Sequence, residues 1–381
     1  MSKTFQTYFQ NRWDFDLIGK GWKEKGSKIV GCAYPHCPEE IILAAGCLPL
    51  AMSGDPERST ELADKHMEHF FTPDTRYLYQ AILAGRYSFI DLICIPTATN
   101  SLTRMYYYLF EEKRQEPTLP FGETYLLEYG YTNNWKSCAY NYGRFKDFKE
   151  YLEEFTGKTV TNEALTKAIK TTNETKRLLG QLSAMRNTSP PKISGYEALL
   201  VIIASMLMPK EDYNRLLTEL IPQIEKSPPK DEGKVRLFLS GSPVNNLQLY
   251  QLIESTEAII VGEDHAFGNR YFDTLVDEEV EPMLALAERY TYKAPEPFVF
   301  GMKPVIDYRI DAALEAKADG VIFYQLQWDD TVGWDWPEQQ KELERHGIKT
   351  MALDFQEYRI SAPERLKLRI QAFVESIKTA K

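Results

Sequence analysis

The chain has 381 residues, 43% of them hydrophobic and 26% charged, with a net charge of −10 at pH 7. This length allows two domains, each with its own hydrophobic core, and the composition is that of a globular protein. The negative charge argues against general affinity for nucleic acid or an anionic membrane, although local basic residues or helix N-termini can still bind an anion.

Targeting segments and disulfide bonds are not indicated. No stretch reaches the roughly 18 consecutive apolar residues of a membrane-spanning helix, and the first residues, MSKTFQTYFQNRWDFD, contain no apolar signal-peptide core. The five cysteines, an odd number without a C-x-x-C pair, disfavour both a disulfide framework and a ribbon-type zinc site. We therefore expect a cytoplasmic protein that binds neither membrane nor nucleic acid.

The first third of the chain alternates between strand and helix patterns. Pro38 stands at a predicted helix start with acids in the first turn, and Gly46 ends that helix. A near-continuous apolar run, FIDLICIPTATN, is typical of a strand buried on both faces of a parallel sheet. The predicted strands are SKIVGCAYP, CLPLAMS and FIDLICIPTATN, and the predicted helices are PEEIILAAG, DTRYLYQAILAGRYS and SLTRMYYYLFEEKR.

The pattern is helical only between about 145 and 227, and it alternates again after the proline-, glycine- and charge-rich stretch SPPKDEG. Two strand–helix series around a helical middle predict an α/β protein with two open parallel sheets, Rossmann-like or flavodoxin-like. We assign an N-terminal domain to residues 1–144, a helical connector to 145–232 and a C-terminal domain to 233–381.

Titratable side chains stand where turns lead into helices. Glu39 and Glu40 occupy the first turn of a predicted helix, where they could interact with the helix dipole or serve as an acid or base. His265 follows the strand EAIIV, at the edge where α/β sheets bind ligands, although an ordinary polar loop fits equally well. His66 and His69 are three apart but lack an identifiable third metal ligand.

Two further strand exits are polar. YQLQWDDTVGWDWPEQQ, residues 324–340, contains three tryptophans and three aspartates. Chemistry is often placed at such exits, whereas large aromatic residues usually indicate packing. IPTATNS, residues 95–101, ends a buried strand with side chains that could line a pocket, and Asn100 or Ser101 could simply cap the next helix.

Long blocks of the chain resemble the 2-hydroxyacyl-CoA dehydratase and benzoyl-CoA reductase family. KIVGCAYPHCPEEIILAAGCLPLAMSG is similar to the family's N-terminal signature, and AGRYSFIDLICIPTATNSLTRMYYYL is similar to its next block. KADGVIFYQLQWDDTVGWDWPEQQKELERHGIKTMALDFQ resembles the C-terminal block, and IIVGEDHAFGNRYF stands where the family has a D-D…R loop. The order is preserved over nearly the whole chain, which looks most like the smaller of two paired subunits.

The resemblance implies a 4Fe-4S cluster held between two α/β domains by three cysteines. At the corresponding positions this chain has Thr72, Thr99 and Asp329. Iron in such clusters is bound by thiolates, and an alcohol is far harder to deprotonate than a thiol with a pKa of about 8.5. We therefore expect that this chain binds no conventional cluster.

Our first interpretation is a cluster-free subunit of a complex that acts on a CoA thioester. As the resemblance implies, a homologous partner would carry the cluster, and an ATP-dependent activator would deliver the electron. The cleft-facing acid, base or anion contacts would be Glu39, Glu40, His265 and Arg270. The three tryptophans of the 324–340 segment would fill or border the space beside the missing cluster.

Two other interpretations stay open. The fold could serve CoA-thioester chemistry that needs no electron, or a regulatory or scaffolding role, with Asp329, Asp330, Glu263 and His265 as acid–base candidates. Alternatively, Asp329 with His66 or His265 could bind a single hard metal ion, although no spacing supports such a site.

Overall fold

Two four-stranded parallel sheets form the framework of the computed structural model, which describes residues 3–230, 233–293 and 302–380. This confirms the predicted α/β architecture with two open parallel sheets. The first sheet contains β1 (Ile29–Cys32), β2 (Leu48–Ala51), β3 (Leu92–Pro96) and β4 (Glu123–Leu127). The second contains β5 (Val235–Gly241), β6 (Ala258–Glu263), β7 (Gly320–Leu326) and β8 (Lys349–Gln356).

The two sheets have the same strand order. The first runs β2-β1-β3-β4 and the second β6-β5-β7-β8, with every neighbouring pair parallel. Strand order therefore reverses between β1 and β3 and again between β5 and β7, and such switch points open a crevice at the carboxyl ends of the strands. Both crevices contribute to the site described below.

Sixteen helices are described, several of them ended by local signals that the sequence carries. Gly46, Gly85 and Gly157 follow helices with φ of +74°, +74° and +69°, the left-handed conformation that glycine adopts at low cost. The N-terminal helices are α1 (Lys3–Gln10), α2 (Phe15–Ile18), α3 (Lys20–Glu24), α4 (Glu39–Ala44), α5 (Pro73–Leu83) and α6 (Asn100–Gln115). The middle helices are α7 (Trp135–Thr156), α8 (Asn162–Asn187), α9 (Gly195–Ser205) and α10 (Lys210–Lys226). The C-terminal helices are α11 (Leu247–Glu254), α12 (Asn269–Phe272), α13 (Pro282–Tyr292), α14 (Met302–Glu315), α15 (Asp330–Arg345) and α16 (Pro363–Ala380).

The helical middle fastens the two sheets to each other. Helix α8 packs against α4 from the N-terminal part and against β6, α12 and α13 from the C-terminal part. One continuous apolar core runs from the first sheet through α9 and α10 to the second sheet. Helix α13 follows the second sheet's β6 in the chain yet packs on α7 and joins the core beneath the first sheet. The crevices of the two sheets are therefore held in a defined relation.

Strand β4 differs from expectation, because no strand was predicted there. Only one of its five residues is buried, and it lies at the edge of the first sheet. An edge strand whose side chains are mostly half-buried lacks the continuous apolar run that is typical of the buried strands. Across the described ranges, no helix combines the length and apolar character needed to cross a membrane.

Candidate functional site

The carboxyl edges of the two sheets meet at a small cavity, which we call the cleft cavity. Its volume is about 30 Å³, room for about two water molecules. The first sheet contributes residues that follow β1 and β3, and the second sheet contributes residues that follow β5, β6 and β7. The lining side chains used below are Tyr34, Thr99, Asp264, His265, Arg270 and Asp329.

Asp264 anchors the loop that follows β6. Its carboxylate accepts hydrogen bonds from the Ser240 hydroxyl at 2.8 Å and the Gly241 N–H at 3.2 Å. The buried Arg309 guanidinium lies 3.0 Å away. Gly241 has φ +116°, and a Cβ there would lie 2.3 Å from the Tyr324 carbonyl oxygen, so only glycine fits this turn. The ends of β5 and β6 are thereby fixed against each other.

His265 and Arg270 lie together at the cleft cavity. His265 Nε2 lies 3.1 Å from the Tyr250 hydroxyl, and burial lowers the pKa of its imidazole to about 4. The ring is therefore neutral at pH 7, and its Nδ1 makes no hydrogen bond within the described residues. The Arg270 Nε donates to the Asp264 carbonyl oxygen, and its guanidinium lies over the Tyr308 ring at 4.9 Å. The cavity thus holds a neutral imidazole beside a fixed positive charge.

Glu263 is turned away from the cleft cavity into the core. The Arg186 guanidinium of α8 binds its two carboxylate oxygens at 2.6 and 3.0 Å, and the Tyr250 hydroxyl donates at 3.2 Å. Burial acts to raise the pKa of Glu263, but the adjacent Arg186 outweighs it and the pKa falls below its usual range. Glu263 is a permanent anion that ties the connector helix to the second sheet, and it does not line the cavity.

Glu39 and Glu40 also lie in a buried ion-pair cluster rather than on the cavity wall. Glu40 accepts from Lys176 Nζ at 2.9 Å and from the Tyr290 hydroxyl at 3.0 Å. Glu39 accepts from the Tyr271 hydroxyl at 2.9 Å, and Lys210 Nζ lies 2.7 Å away. The two carboxylates therefore join α4 to helices of the middle and C-terminal parts.

The charge state of Glu40 follows from these partners. Burial acts to raise the pKa of its carboxyl, but Lys176 and Arg289 outweigh burial and lower the pKa to about 2. Lys176 was not predicted from the sequence. The signal was present, since Thr172 and Lys176 are four residues apart on the buried face of α8 that also carries Ile169 and Leu179.

Two of the three positions that the resemblance aligns with cluster ligands are threonines engaged in local hydrogen bonds. The Thr99 hydroxyl accepts the Leu102 N–H at 3.1 Å and caps α6. The cap is thus one of the polar side chains at this strand exit, Thr99, and not Asn100 or Ser101, because the helix already begins at Asn100. The Thr72 hydroxyl lies 3.0 Å from that of Thr75.

Asp329, the third of these positions, has perturbed acidity. It follows β7, immediately before α15, and accepts the Ser242 hydroxyl at 2.6 Å. Burial raises the pKa of its carboxyl to about 6, and the charge of Asp74, in the first turn of α5, adds to the effect. Burial raises the pKa of Asp74 as well. Asp329 is thus a carboxyl that titrates near neutral pH at the cleft, which suits acid–base chemistry.

The cysteines lie elsewhere. All five are buried, and Cys32, Cys37 and Cys94 are neighbours in the core under the first sheet, with Cys37 Sγ 3.5 Å from the Cys94 carbonyl oxygen. Burial raises the pKa of Cys37 and Cys94, so both are protonated thiols at neutral pH. Within the described ranges, no three histidine, cysteine or acidic side chains are arranged as a metal site.

The three tryptophans do not act together. Trp336 stacks on Phe323 at 4.4 Å inside the C-terminal core, and Trp334 is 79% exposed. The Trp328 ring lies 5.3 Å from that of His69, a residue of the N-terminal part of the chain. The expectation that all three fill or border the missing cluster's space is therefore wrong for Trp334 and Trp336.

His66 does not join Asp329 in a metal site. Its Nδ1 lies 2.7 Å from the carboxylate of Glu112, on helix α6 of the N-terminal domain. The hypothesis of a single hard metal ion bound by Asp329 and His66 therefore has no support in the arrangement of these side chains.

Comparison with known proteins decides the family. A family model described as "2-hydroxyglutaryl-CoA dehydratase, D-component" matches residues 34–377 of this chain. The chain belongs to this family. That match covers the helical middle, the whole second sheet and the first sheet except β1, and it confirms the resemblance drawn from the sequence blocks.

Several family members resemble the chain over most of their length. The (R)-phenyllactyl-CoA dehydratase beta subunit of Clostridium sporogenes is 27% identical over 365 residues, 94% of each chain. The beta subunit of (R)-2-hydroxyglutaryl-CoA dehydratase from Acidaminococcus fermentans is 22% identical, covering 93% of this chain and 94% of its own. A benzoyl-CoA reductase subunit from Thauera aromatica is 23% identical, covering 74% of this chain and 73% of its own. These relatives are subunits of dehydratases and a reductase whose names specify CoA thioesters.

Proposed function

We propose that this chain is a subunit of a 2-hydroxyacyl-CoA dehydratase or benzoyl-CoA reductase-type complex, and that it lacks a 4Fe-4S cluster of its own. The cluster belongs to a homologous partner, and an ATP-dependent activator supplies the electron. The observation that carries the proposal is the donor set at three positions, Thr72, Thr99 and Asp329, where the resemblance places thiolate ligands.

The chemistry of these side chains does not fit an iron–sulfur cluster. Two hydroxyls and one carboxylate cannot replace three soft thiolates around iron. Both threonine hydroxyls are engaged locally, at 3.1 Å to the Leu102 N–H and 3.0 Å to Thr75. The cleft cavity is lined by carboxyl, imidazole, guanidinium and hydroxyl groups, and no cysteine is among the described residues that line it.

The remaining polar groups of the cleft support contact with a CoA thioester or with the partner. In this proposal the neutral imidazole of His265 hydrogen-bonds a carbonyl or hydroxyl group through Nδ1, and Arg270 binds negative charge. Glu39 and Glu40 have a structural role in this proposal, because their carboxylates pair with Lys210 of α10 and Lys176 of α8 and do not line the cavity.

Metal analysis of the separated subunits tests the proposal. We expect the chain purified alone under anaerobic conditions to contain almost no iron or acid-labile sulfide, and its co-purified complex to contain both. Turnover of a 2-hydroxyacyl-CoA or aryl-CoA ester should need the partner, ATP and a reductant. Stoichiometric iron and sulfide in the isolated chain would refute the proposal, and loss of that iron in Cys37→Ser and Cys94→Ser variants would identify the donors.

A second candidate is CoA-thioester chemistry without electron transfer, and the near-neutral pKa of Asp329 favours it. With a pKa of about 6, this carboxyl exchanges a proton readily at pH 7 beside the neutral His265. In this case the isolated chain turns over a CoA ester in air without ATP, and Asp329→Asn abolishes the reaction. Absence of turnover by the chain, alone or with its partner, would leave a regulatory or scaffolding role.

A further inference from the structure

A second pocket, of about 280 Å³, opens at the carboxyl edge of the second sheet. It lies between the ends of β7 and β8 and the first turn of α16. We call it the arginine pocket, because Arg359, Arg365 and Arg369 line it against a single acid, Glu357. This concentration of positive charge stands out in a chain whose net charge is −10.

The arginines keep most of their binding capacity. Arg365 makes no hydrogen bond or ion pair with any other described residue. Arg369 donates one hydrogen bond, to the Ala352 carbonyl oxygen at 3.2 Å. Arg359 is 3.8 Å from the exposed Glu57, a solvent-screened contact that an incoming anion can replace. Guanidinium groups with free N–H donors match the paired oxygens of phosphate.

An aromatic side chain forms another part of the pocket. Phe355 lines it with 51% of its surface exposed, and it adopts φ +55°, an outlier for a bulky residue. Its ring is 5.0 Å from that of Trp328, which also has a positive φ, +64°. Strained backbone of this kind concentrates at ligand-binding and active sites. The exposed ring provides a surface on which a base can stack.

The arginine pocket also adjoins the cleft cavity. Gln327 lines the pocket and Asp329 lines the cavity, so their Cα atoms are at most about 7.6 Å apart along the chain. The N-terminus of α16, an 18-residue helix, opens into the pocket through Ser361 and Ala362 and adds partial positive charge. A ligand bound here by its phosphates can direct its remaining part towards the cleft.

We propose that the arginine pocket binds the phosphorylated adenosine of CoA, with the phosphates on Arg365 and Arg369 and the adenine against Phe355. The choice of CoA rests on the proposed function, whereas the preference for a phosphorylated nucleotide rests on the pocket alone. This chain then contributes its own contact to the thioester substrate instead of leaving nucleotide recognition wholly to the partner.

Calorimetric titration of the full-length chain tests this. The ligands are CoA, adenosine 3′,5′-bisphosphate, ATP and inorganic phosphate, each at two salt concentrations. Loss of a charge-assisted contact should weaken CoA and the bisphosphate about tenfold or more in Arg365→Ala and in Arg369→Ala. Phe355→Ala should weaken both nucleotides and leave inorganic phosphate unchanged. The matched control is Arg345→Ala, an exposed arginine that pairs with Glu342 at the end of α15, and it should bind CoA as the parent chain does.

Three results would overturn the inference. CoA binding that is insensitive to both pocket arginines places the nucleotide elsewhere, and binding of phosphate as tight as that of CoA reduces the pocket to an anion site. ATP bound more tightly than CoA would assign the pocket to a different adenine nucleotide. Iron content and partner assembly should be unaffected by Arg365→Ala, so failure of this inference is separable from failure of the proposed function.

Discussion

The buried pair between Glu40 and Lys176 joins residues 136 positions apart, and its removal should measurably weaken the packing of α4 on α8. Glu40→Gln keeps the shape of the side chain and its contact with the Tyr290 hydroxyl but leaves the Lys176 ammonium without its nearest anion. Both side chains are essentially inaccessible to solvent, at 0% and 1% exposure. Water therefore cannot compensate the lost charge.

The expected magnitude follows from the acidity of the carboxyl. A pKa lowered from 4.5 to about 2 corresponds to about 3 kcal/mol of stability at neutral pH, since each pKa unit is worth about 1.4 kcal/mol. Breaking a buried pair by removing one partner costs about 3–5 kcal/mol in general. We expect the free energy of unfolding to fall by about 3 kcal/mol in Glu40→Gln and by a similar amount in Lys176→Met. The double variant should lose less than the sum, with a coupling of about 1–3 kcal/mol.

Urea unfolding between pH 7 and pH 3 provides the assay. Because the folded-state pKa is depressed, the unfolded chain takes up the proton first as the pH falls. The difference in the free energy of unfolding between the parent chain and Glu40→Gln should therefore be constant above about pH 5 and shrink from pH 4.5 towards pH 2. Glu338→Gln is the control, since this carboxylate is 55% exposed and 3.9 Å from Lys341, and it should change stability by less than about 0.5 kcal/mol.

Two outcomes would contradict this reasoning about Glu40. A loss below about 1 kcal/mol that does not vary with pH would mean that the carboxylate is not a buried, paired anion. A large fall in turnover of the assembled complex, with unfolding unchanged, would instead support the acid–base role predicted from the sequence.

Three further results are expected. Because all five cysteines are buried, they should fail to react with a thiol reagent in the native chain and react fully after denaturation. Rapid labelling of any one of them in the native state would contradict this burial. Asp329→Asn should stabilise the chain by about 1–3 kcal/mol at pH 7.5 and have no effect below about pH 4. The reason is that a carboxyl whose pKa is raised from 3.8 to about 6 lowers the free energy of unfolding when it is ionised. Destabilisation by this substitution at pH 7.5 would refute the raised pKa. Trp336→Ala should lower the free energy of unfolding by about 3–5 kcal/mol, since the Trp336 ring stacks on Phe323 in the core. Trp334→Ala should lower it by less than about 0.5 kcal/mol in the same assay, because Trp334 is 79% exposed.

Much of the fold was predictable because a strand that is buried on both faces consists of consecutive apolar residues, a pattern that is visible in the sequence. All five residues of β3 and all six of β6 are buried, and both strands were recognised as apolar runs. Strand β4, with the sequence ETYLL, contains no such apolar run. Helix α15 begins at Asp330 and contains Pro337, although proline usually stands in the first turn of a helix. The stacking of Trp336 in the core outweighs the backbone hydrogen bond that the proline removes.

The candidate site was predictable only in part. His265 and Arg270 line the cleft cavity because they follow a strand of a parallel sheet, and the carboxyl ends of parallel strands share one edge. Their role there stays a prediction. The role of Glu39 was not evident, since its partner Tyr271 lies 232 residues away. First-turn acids look alike in sequence whether they face solvent, a cleft or a buried lysine.

The sequence by itself determined the fold class, the family and the kinds of side chain at the cleft, because these depend on local pattern and residue identity. Only the tertiary structure decided which carboxyls are permanent anions and which titrate near neutral pH. Acidity depends on burial and on the nearest charges, and those charges come from distant parts of the chain. Glu40 and Asp329 are both carboxyls near helix starts, yet lysine and arginine neighbours lower the pKa of the first to about 2, whereas burial raises that of the second to about 6.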